Sequence, residues 1–199
     1  MLPLATSLLL LAAVPDSVFD NKTAWQPEET DGDLKLEGRP ITNSSWLEYR
    51  IVTTTETAPD ALCTSVFDQA TKGKGGSNVK LRKLLKDGGD ERVLYDQVEA
   101  PMVSKRDYAM TVKRLPGEPT CRIRFKITND EAPKLEDGVV RMEMMWGGWD
   151  FEKKGEKTQV THFLYADPAG AVPAWIARGS QKKALKEAVQ RMLENAKKK

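Results

Sequence analysis

The chain has 199 residues, 31 of them Lys or Arg and 29 Asp or Glu, giving a formal net charge of +2. That length suits one domain with a sizeable core. The near balance of charge excludes the strong basic field of an obligate nucleic-acid binder. The two cysteines, Cys63 and Cys121, lack CxxC spacing, and His162 is the single histidine, so neither a zinc site nor any other metal or cofactor is expected. A disulfide between them and a pair of buried thiols are both open.

The first elements lie at the N-terminus, in "MLPLATSLLLLAAVPDSVFD". Leu8 to Val14 form an apolar run too short to span a bilayer but of the length of a signal-peptide core. Residues 1–20 are read as a signal peptide or as an N-terminal helix packed on the domain of residues 21–199. The absence of a polar face on the leucine run favours export, to the periplasm or outside the cell, over a cytoplasmic location.

From Leu34 onward the chain alternates with period two, which predicts strands with one buried face. They fall at Leu34 to Glu37, Trp46 to Thr55, Val79 to Leu85, Arg92 to Val98, Asp107 to Leu115, Cys121 to Thr128, Val139 to Trp149 and Thr158 to Ala166. Gly88-Gly89, Pro116-Gly117 and Lys154-Gly155 supply hairpin turns, so the sheet is mainly antiparallel. A short helix starts at Pro59 and ends before "TKGKGGSN", and a long amphipathic helix starts with Pro173 in its first turn and runs to about Ala196. The layout is α+β, with a sheet that must curl round the last helix to bury both apolar faces and that can leave a cavity.

"SKRDYAM" (Ser104 to Met110), "GVVRMEMMWGGW" (Gly138 to Trp149) and "KTQVTHFLYADPAGAVPAWIARG" (Lys157 to Gly179) occur in the order and at the separations of START (steroidogenic acute regulatory related lipid transfer) domains. "GDLKLEGRPITNSSWLEYRIV" resembles the start of that domain, and the resemblance runs from about Trp25 to the end. It implies a helix-grip fold of about eight or nine strands round the C-terminal helix, enclosing a hydrophobic tunnel for one lipid. Two departures stand out. "TKGKGGSN" replaces a region where many members carry a tryptophan, and Val112 stands where sterol-binding members place a buried arginine.

Alternation along Val139 to Trp149 puts Val140, Met142, Met144 and Trp146 inward, with Gly147-Gly148 marking a bend or bulge. Methionine adapts to an irregular apolar partner, so this concentration suits the wall of a ligand cavity. The ligand-binding candidates are Met142, Met144 and Trp146, with Tyr108, Met110, Val112, Ile123 and Phe125 on neighbouring strands and Leu185, Ala188 and Met192 on the helix. Tyr95, Tyr108 and Tyr165 offer hydroxyls that either meet a head group or reach water. Pro101, Met102 and Val103 form an apolar loop tip which, by the resemblance, covers the tunnel mouth, and Lys182, Lys183, Lys186 and Lys197 to Lys199 suit an anionic membrane surface.

Arg106 and Asp107 point to opposite sides of a strand and read as anchors of neighbouring segments. Asp167 reads as turn chemistry before the last helix, and His162, without a nucleophile motif beside it, as a satisfied sheet histidine. The function expected is a monomeric, non-enzymatic carrier of one lipid (sterol, phospholipid or fatty acyl lipid) that touches a membrane transiently. The rival from another class is a helix-grip aromatase/cyclase acting on a polyketide-like substrate, which needs polar groups converging inside the tunnel. A ligand-gated regulatory module is a third reading.

Overall fold

The computed structural model describes residues 14–99 and 103–197. A short 3-10 turn at Asp16–Asp20 precedes strands β1 (Gln26–Asp31), β2 (Leu34–Pro40) and β3 (Leu47–Thr55), helix α1 (Pro59–Lys72), then β4 (Val79–Asp87), β5 (Glu91–Val98), β6 (Arg106–Leu115), β7 (Thr120–Ile127), β8 (Val140–Arg141), β9 (Met144–Lys154), β10 (Lys157–Asp167) and helix α2 (Ala174–Ala196). The strands join in one sheet in the order β1-β2-β3-β10-β9-β7-β6-β5-β4, and β8 adds to β6 in parallel. Every other pairing is antiparallel. This is the expected α+β helix-grip layout.

The predicted strands recur within a few residues of their expected bounds. The sequence pattern did not announce β1, because all six residues of "QPEETD" are exposed and none has a buried face to betray it. The predicted strand Val139 to Trp149 is two strands, since the chain leaves β6 at Arg141 and joins β10 only from Met144 and β7 from Trp146. Between them the Met142 N–H donates to Asp107 O, and Asn129 Nδ2 donates to Met142 O.

Gly147 and Gly148 do not form a bulge, because the β9–β10 register passes through them without a shift. Their use is close approach. A Cβ on Gly147 would stand 2.4 Å from the Phe125 ring, and one on Gly148 2.4 Å from the Ile123 carbonyl oxygen. The missing side chains let Phe125 of β7 lie flat against β9.

On the concave face α2 packs over β3 and β10, and α1 over β6, β7 and β9. Cys63 of α1 and Cys121 of β7 form a disulfide, which settles the alternative left open by the sequence. Residues from Val14 onward pack on the convex face: Val14 is buried, and Lys126 Nζ donates to Val14 O at 2.9 Å and to Asp16 Oδ1 at 2.7 Å. Phe19 meets Phe163 edge to face, and Trp25 lies between the Arg39 and Arg50 guanidinium groups at 4.1 and 4.5 Å. Most of the leucine run, from Leu8 to Ala13, lies outside the described residues.

Candidate functional site

Between the concave face and the two helices lies a cavity of about 550 Å³, well inside the range of small-molecule sites. Its wall is built by alternation. Tyr108, Met110 and Val112 of β6, Ile123 and Phe125 of β7, Met145 and Trp149 of β9, and His162, Leu164 and Ala166 of β10 all face it. The roof is one stripe of α2, Ala177, Gln181, Ala184, Ala188 and Met192. These positions recur every three or four residues, so they share a face. Three are alanines, and their shortness leaves room beneath the helix. The next stripe, Leu185 and Val189, is fully buried and seals the helix to the core.

Eight of the eleven ligand-binding candidates therefore surround the cavity: Tyr108, Met110, Val112, Ile123, Phe125, Met142, Ala188 and Met192. Three do not. Leu185 belongs to the sealing stripe. Met144 and Trp146 face the convex side, where they border a second, smaller hollow with Ser44, Trp46 and Tyr165. The reason is the break at Met142–Glu143, which shifts the alternation by one residue, so that Met145 and Trp149 occupy the face assigned to Met144 and Trp146. Trp146 stacks on Tyr165 with centroids 3.9 Å apart and donates from Nε1 to Glu48 Oε1. Glu48 also accepts from Arg39, and its burial pushes its carboxyl above the usual range.

The cavity opens along one flank of α2. Loop residues Gly73 to Asn78, with Glu99 and Val103, form one lip, and Lys183, Glu187 and Arg191 form the other. Ser77 Oγ hydrogen-bonds Glu187 Oε2 at 2.8 Å across the gap. Of the expected mouth loop, Val103 borders the cavity, whereas Pro101 and Met102 lie outside the described residues. Lys182 and Lys186 do not form the expected cationic patch. They reach the other way, to Glu28 and Glu29 of β1, at 2.7 and 2.6 Å, and Lys183 lies 3.8 Å from Glu187. Lys198 and Lys199 also lie outside the described residues.

Few polar groups line the interior, and most are engaged. Arg82 grips Asp96 with two bonds, Asp96 accepts from the Tyr108 hydroxyl, and Arg82 Nη1 donates to Ala70 O. Burial, then the Asp96 charge, pushes the Tyr108 hydroxyl far above its ordinary value, so it stays protonated. Arg106 donates to the carbonyls of Pro168, Ser104 and Ala169, tying β6 to the turn before α2. Asp107 accepts two bonds from Arg141 and one from Tyr95, and Asp167 Oδ1 accepts from the Ala169 N–H. Both members of the Arg-Asp pair thus anchor neighbouring segments, on opposite sides of the strand. The Tyr165 hydroxyl pairs with Ser44 on the convex side. Of the tyrosines weighed for head-group contact, only Tyr108 borders the cavity.

His162 stacks on Trp149 with centroids 3.8 Å apart, and its Nδ1 lies 2.9 Å from Gly148 O. A carbonyl only accepts, so Nδ1 carries the proton and Nε2 is a bare acceptor. Burial lowers the imidazole to about 4. Among the described residues no cluster of His, Cys, Asp or Glu has the geometry of a metal site.

No family model matches the chain. An uncharacterised protein of Pseudomonas aeruginosa is 26% identical over 176 residues, 85% of this chain and 86% of the relative. Among solved structures the chain is similar to a STAR-related lipid transfer protein from Xanthomonas axonopodis, with a TM-score of 0.73 at 20% identity over 87% of this chain and 98% of that one. The fold is that of a START domain. Human STARD10 superposes with a TM-score of 0.73 at 16% identity, covering 93% of this chain and 81% of its own. Human StAR-related lipid transfer protein 5 gives 0.71 at 16%, covering 92% and 90%. Within this START-like fold, the departure at Val112 leaves the β6 wall apolar beyond Tyr108.

Proposed function

We propose that the protein is a non-enzymatic carrier that holds one lipid molecule in the cavity beneath α2. The observation that carries this reading is the cavity itself: about 550 Å³, roofed by alanines, and walled by methionine, aromatic and branched side chains. Withdrawing a lipid chain from water into such a wall releases about 25 cal/mol per Å² of apolar surface. The proteins sharing the fold include ones named for lipid transfer. Tyr108, Met110, Val112, Ile123, Phe125, Met142, Ala188 and Met192 are the contacts proposed from the original candidates, with Met145 and Trp149 added.

The aromatase/cyclase alternative needs an acid or base free to act on the substrate. Of the wall residues, Arg82 and Tyr108 are both bound to the buried Asp96 behind them, and His162 at about 4 is a weak base at neutral pH. That supports binding without catalysis. The test is native mass spectrometry of protein purified from its source, before and after organic extraction. A single extractable lipid is the expected result; an empty cavity that also refuses added lipid would overturn the reading.

The carrier is further proposed to work as a monomer in an oxidising compartment and to touch membranes only while loading. The Cys63–Cys121 disulfide supports the compartment, as does the leucine run of the N-terminus. Trp175, 70% exposed at the start of α2, supports a membrane-facing edge, because tryptophan settles at the bilayer interface. Vesicle co-sedimentation that persists unchanged in Trp175→Ser would remove this edge from the proposal.

A further inference from the structure

The smaller hollow on the convex face has a volume of about 350 Å³ and lies on the opposite side of the sheet from the cavity beneath α2. The β9–β10 register builds its base by setting Met144 beside Asp167 and Trp146 beside Tyr165. All four border the hollow, and side chains of such cross-strand pairs stand close enough to touch. The chain between β2 and β3 folds over them. There the Trp46 N–H donates to Ser44 Oγ at 2.9 Å, and Ser44 Oγ pairs with the Tyr165 hydroxyl at 2.8 Å.

Trp146 and Tyr165 are buried and stacked on each other, so they close the floor. What an occupant meets is the half-buried Trp46 and Asp167 and the exposed Met144. Asp167 Oδ1 accepts from the Ala169 N–H, but that bond leaves the carboxylate charge unanswered. Among the described residues no lysine, arginine or histidine borders the hollow. The charge is felt inside it: burial, and after it Asp167, hold the Tyr165 hydroxyl above its ordinary value against the Ser44 hydrogen bond.

An aromatic face carries negative potential, as does a carboxylate, and one positive charge answers both. A hard metal ion would want several oxygen ligands, and no acidic cluster is present among the described residues. An ammonium that carries alkyl groups suits the site better, because its carbon surface can lie on Trp46 and Met144 while its charge faces Asp167. We infer that the convex hollow is a second binding site, for a small, free organic ammonium cation, with Asp167 as its counter-charge. A phosphate attached to the same cation would meet Asp167 with no basic side chain to receive it, so a phosphocholine head group fits less well than the free cation.

The test is equilibrium dialysis of the full chain, at neutral pH and low ionic strength, against choline, phosphocholine and 3,3-dimethyl-1-butanol, the uncharged carbon counterpart of choline. Choline is expected to bind about tenfold tighter than the butanol, the ratio supplied by one exposed ion pair together with one cation–π contact, and phosphocholine more weakly than choline. Asp167→Asn keeps an acceptor for the Ala169 N–H and should cut the advantage of choline to about threefold, as should Trp46→Leu. Ala188→Phe, on the far side of the sheet, should leave choline binding as it is. Equal binding of choline and the butanol to the unaltered protein, or binding of neither, overturns the inference. So does phosphocholine binding as tightly as choline, an Asp167→Asn chain that binds choline as before, or loss of choline from Ala188→Phe. The comparison of the three probes in the unaltered protein stands whether or not the variants fold, and none of these outcomes bears on the carrier reading.

Discussion

The two faces of the sheet use their buried residues in opposite ways. On the convex face every polar group near Trp146 is answered: Glu48 by Arg39 and the Trp146 indole, and Arg39 by the Asn21 carbonyl and the Trp25 ring. On the concave face, beneath α2, side chains are short and about 550 Å³ is left unfilled. The first arrangement is a core, in which close packing and satisfied polarity fix one structure. The second gives up part of that stabilisation to keep a space. Substitutions on the convex face should therefore cost stability and spare ligand uptake, and those on the cavity wall should do the reverse.

The largest effect is expected where the convex network is cut. Arg39→Met leaves the Glu48 carboxylate, 0% exposed, without its cation, and breaking a buried pair in this way costs about 3–5 kcal/mol. Urea denaturation should show that loss as a lowered midpoint with the slope unchanged, while lipid bound per folded molecule stays the same. A fall in lipid content at full stability would merge the two faces into one functional unit.

Next comes His162, which belongs to the cavity wall yet affects stability through pH. Its folded value of about 4 lies below the ordinary 6.5, so between those values the unfolded chain binds the extra proton and the folded one does not. Stability then rises with pH across this window. Above 6.5 there is no penalty; as pH falls toward 4 the penalty grows to about 3 kcal/mol, the product of the shift and 1.36 kcal/mol per unit. His162→Phe, which retains a ring against Trp149, should flatten the stability profile between pH 4 and 6.5. A slope that persists in that variant would assign the titration to other groups.

Smaller in stability, though not in function, is Ala188→Phe. In a filled core such an enlargement costs about 1–3 kcal/mol, but here the new ring has the cavity to enter. The melting temperature should hold or rise while lipid uptake from vesicles falls below detection. Uptake that survives would mean that cargo does not lie beneath this stretch of α2.

How much of this was legible in the sequence follows from which signals are local. Strand positions and the cavity faces of β6 and β7 came from uninterrupted alternation at Tyr108–Val112 and Cys121–Phe125. The strand β1, with no buried residue, had no such signal. The role of Gly147 depends on Phe125, which precedes it by more than twenty residues and becomes its neighbour only through the β7–β9 register. The ion pairs of Lys182 and Lys186 were out of sight for a related reason: their partners, Glu28 and Glu29, lie on that same unannounced strand.

The smallest change gives the sharpest contrast. Met144 and Met145 are adjacent and chemically identical, and they differ only in which face of β9 they occupy. A pattern carried straight through from Val140 places Met144 inside; the two residues of chain between β8 and β9 reverse that, leaving Met144 37% exposed and Met145 buried in the cavity wall. Met144→Glu exchanges one partly wetted side chain for another, so its stability should stay within about 0.5 kcal/mol of the original, with uptake unaltered. Met145→Glu puts a carboxylate into an apolar wall, where it must either stay protonated or draw water in with it, and uptake should be lost. Measuring both by lipid transfer between vesicles checks the phase of β9 directly. Loss of transfer in the Met144 variant, with the Met145 variant unaffected, would return the cavity face to the uninterrupted pattern.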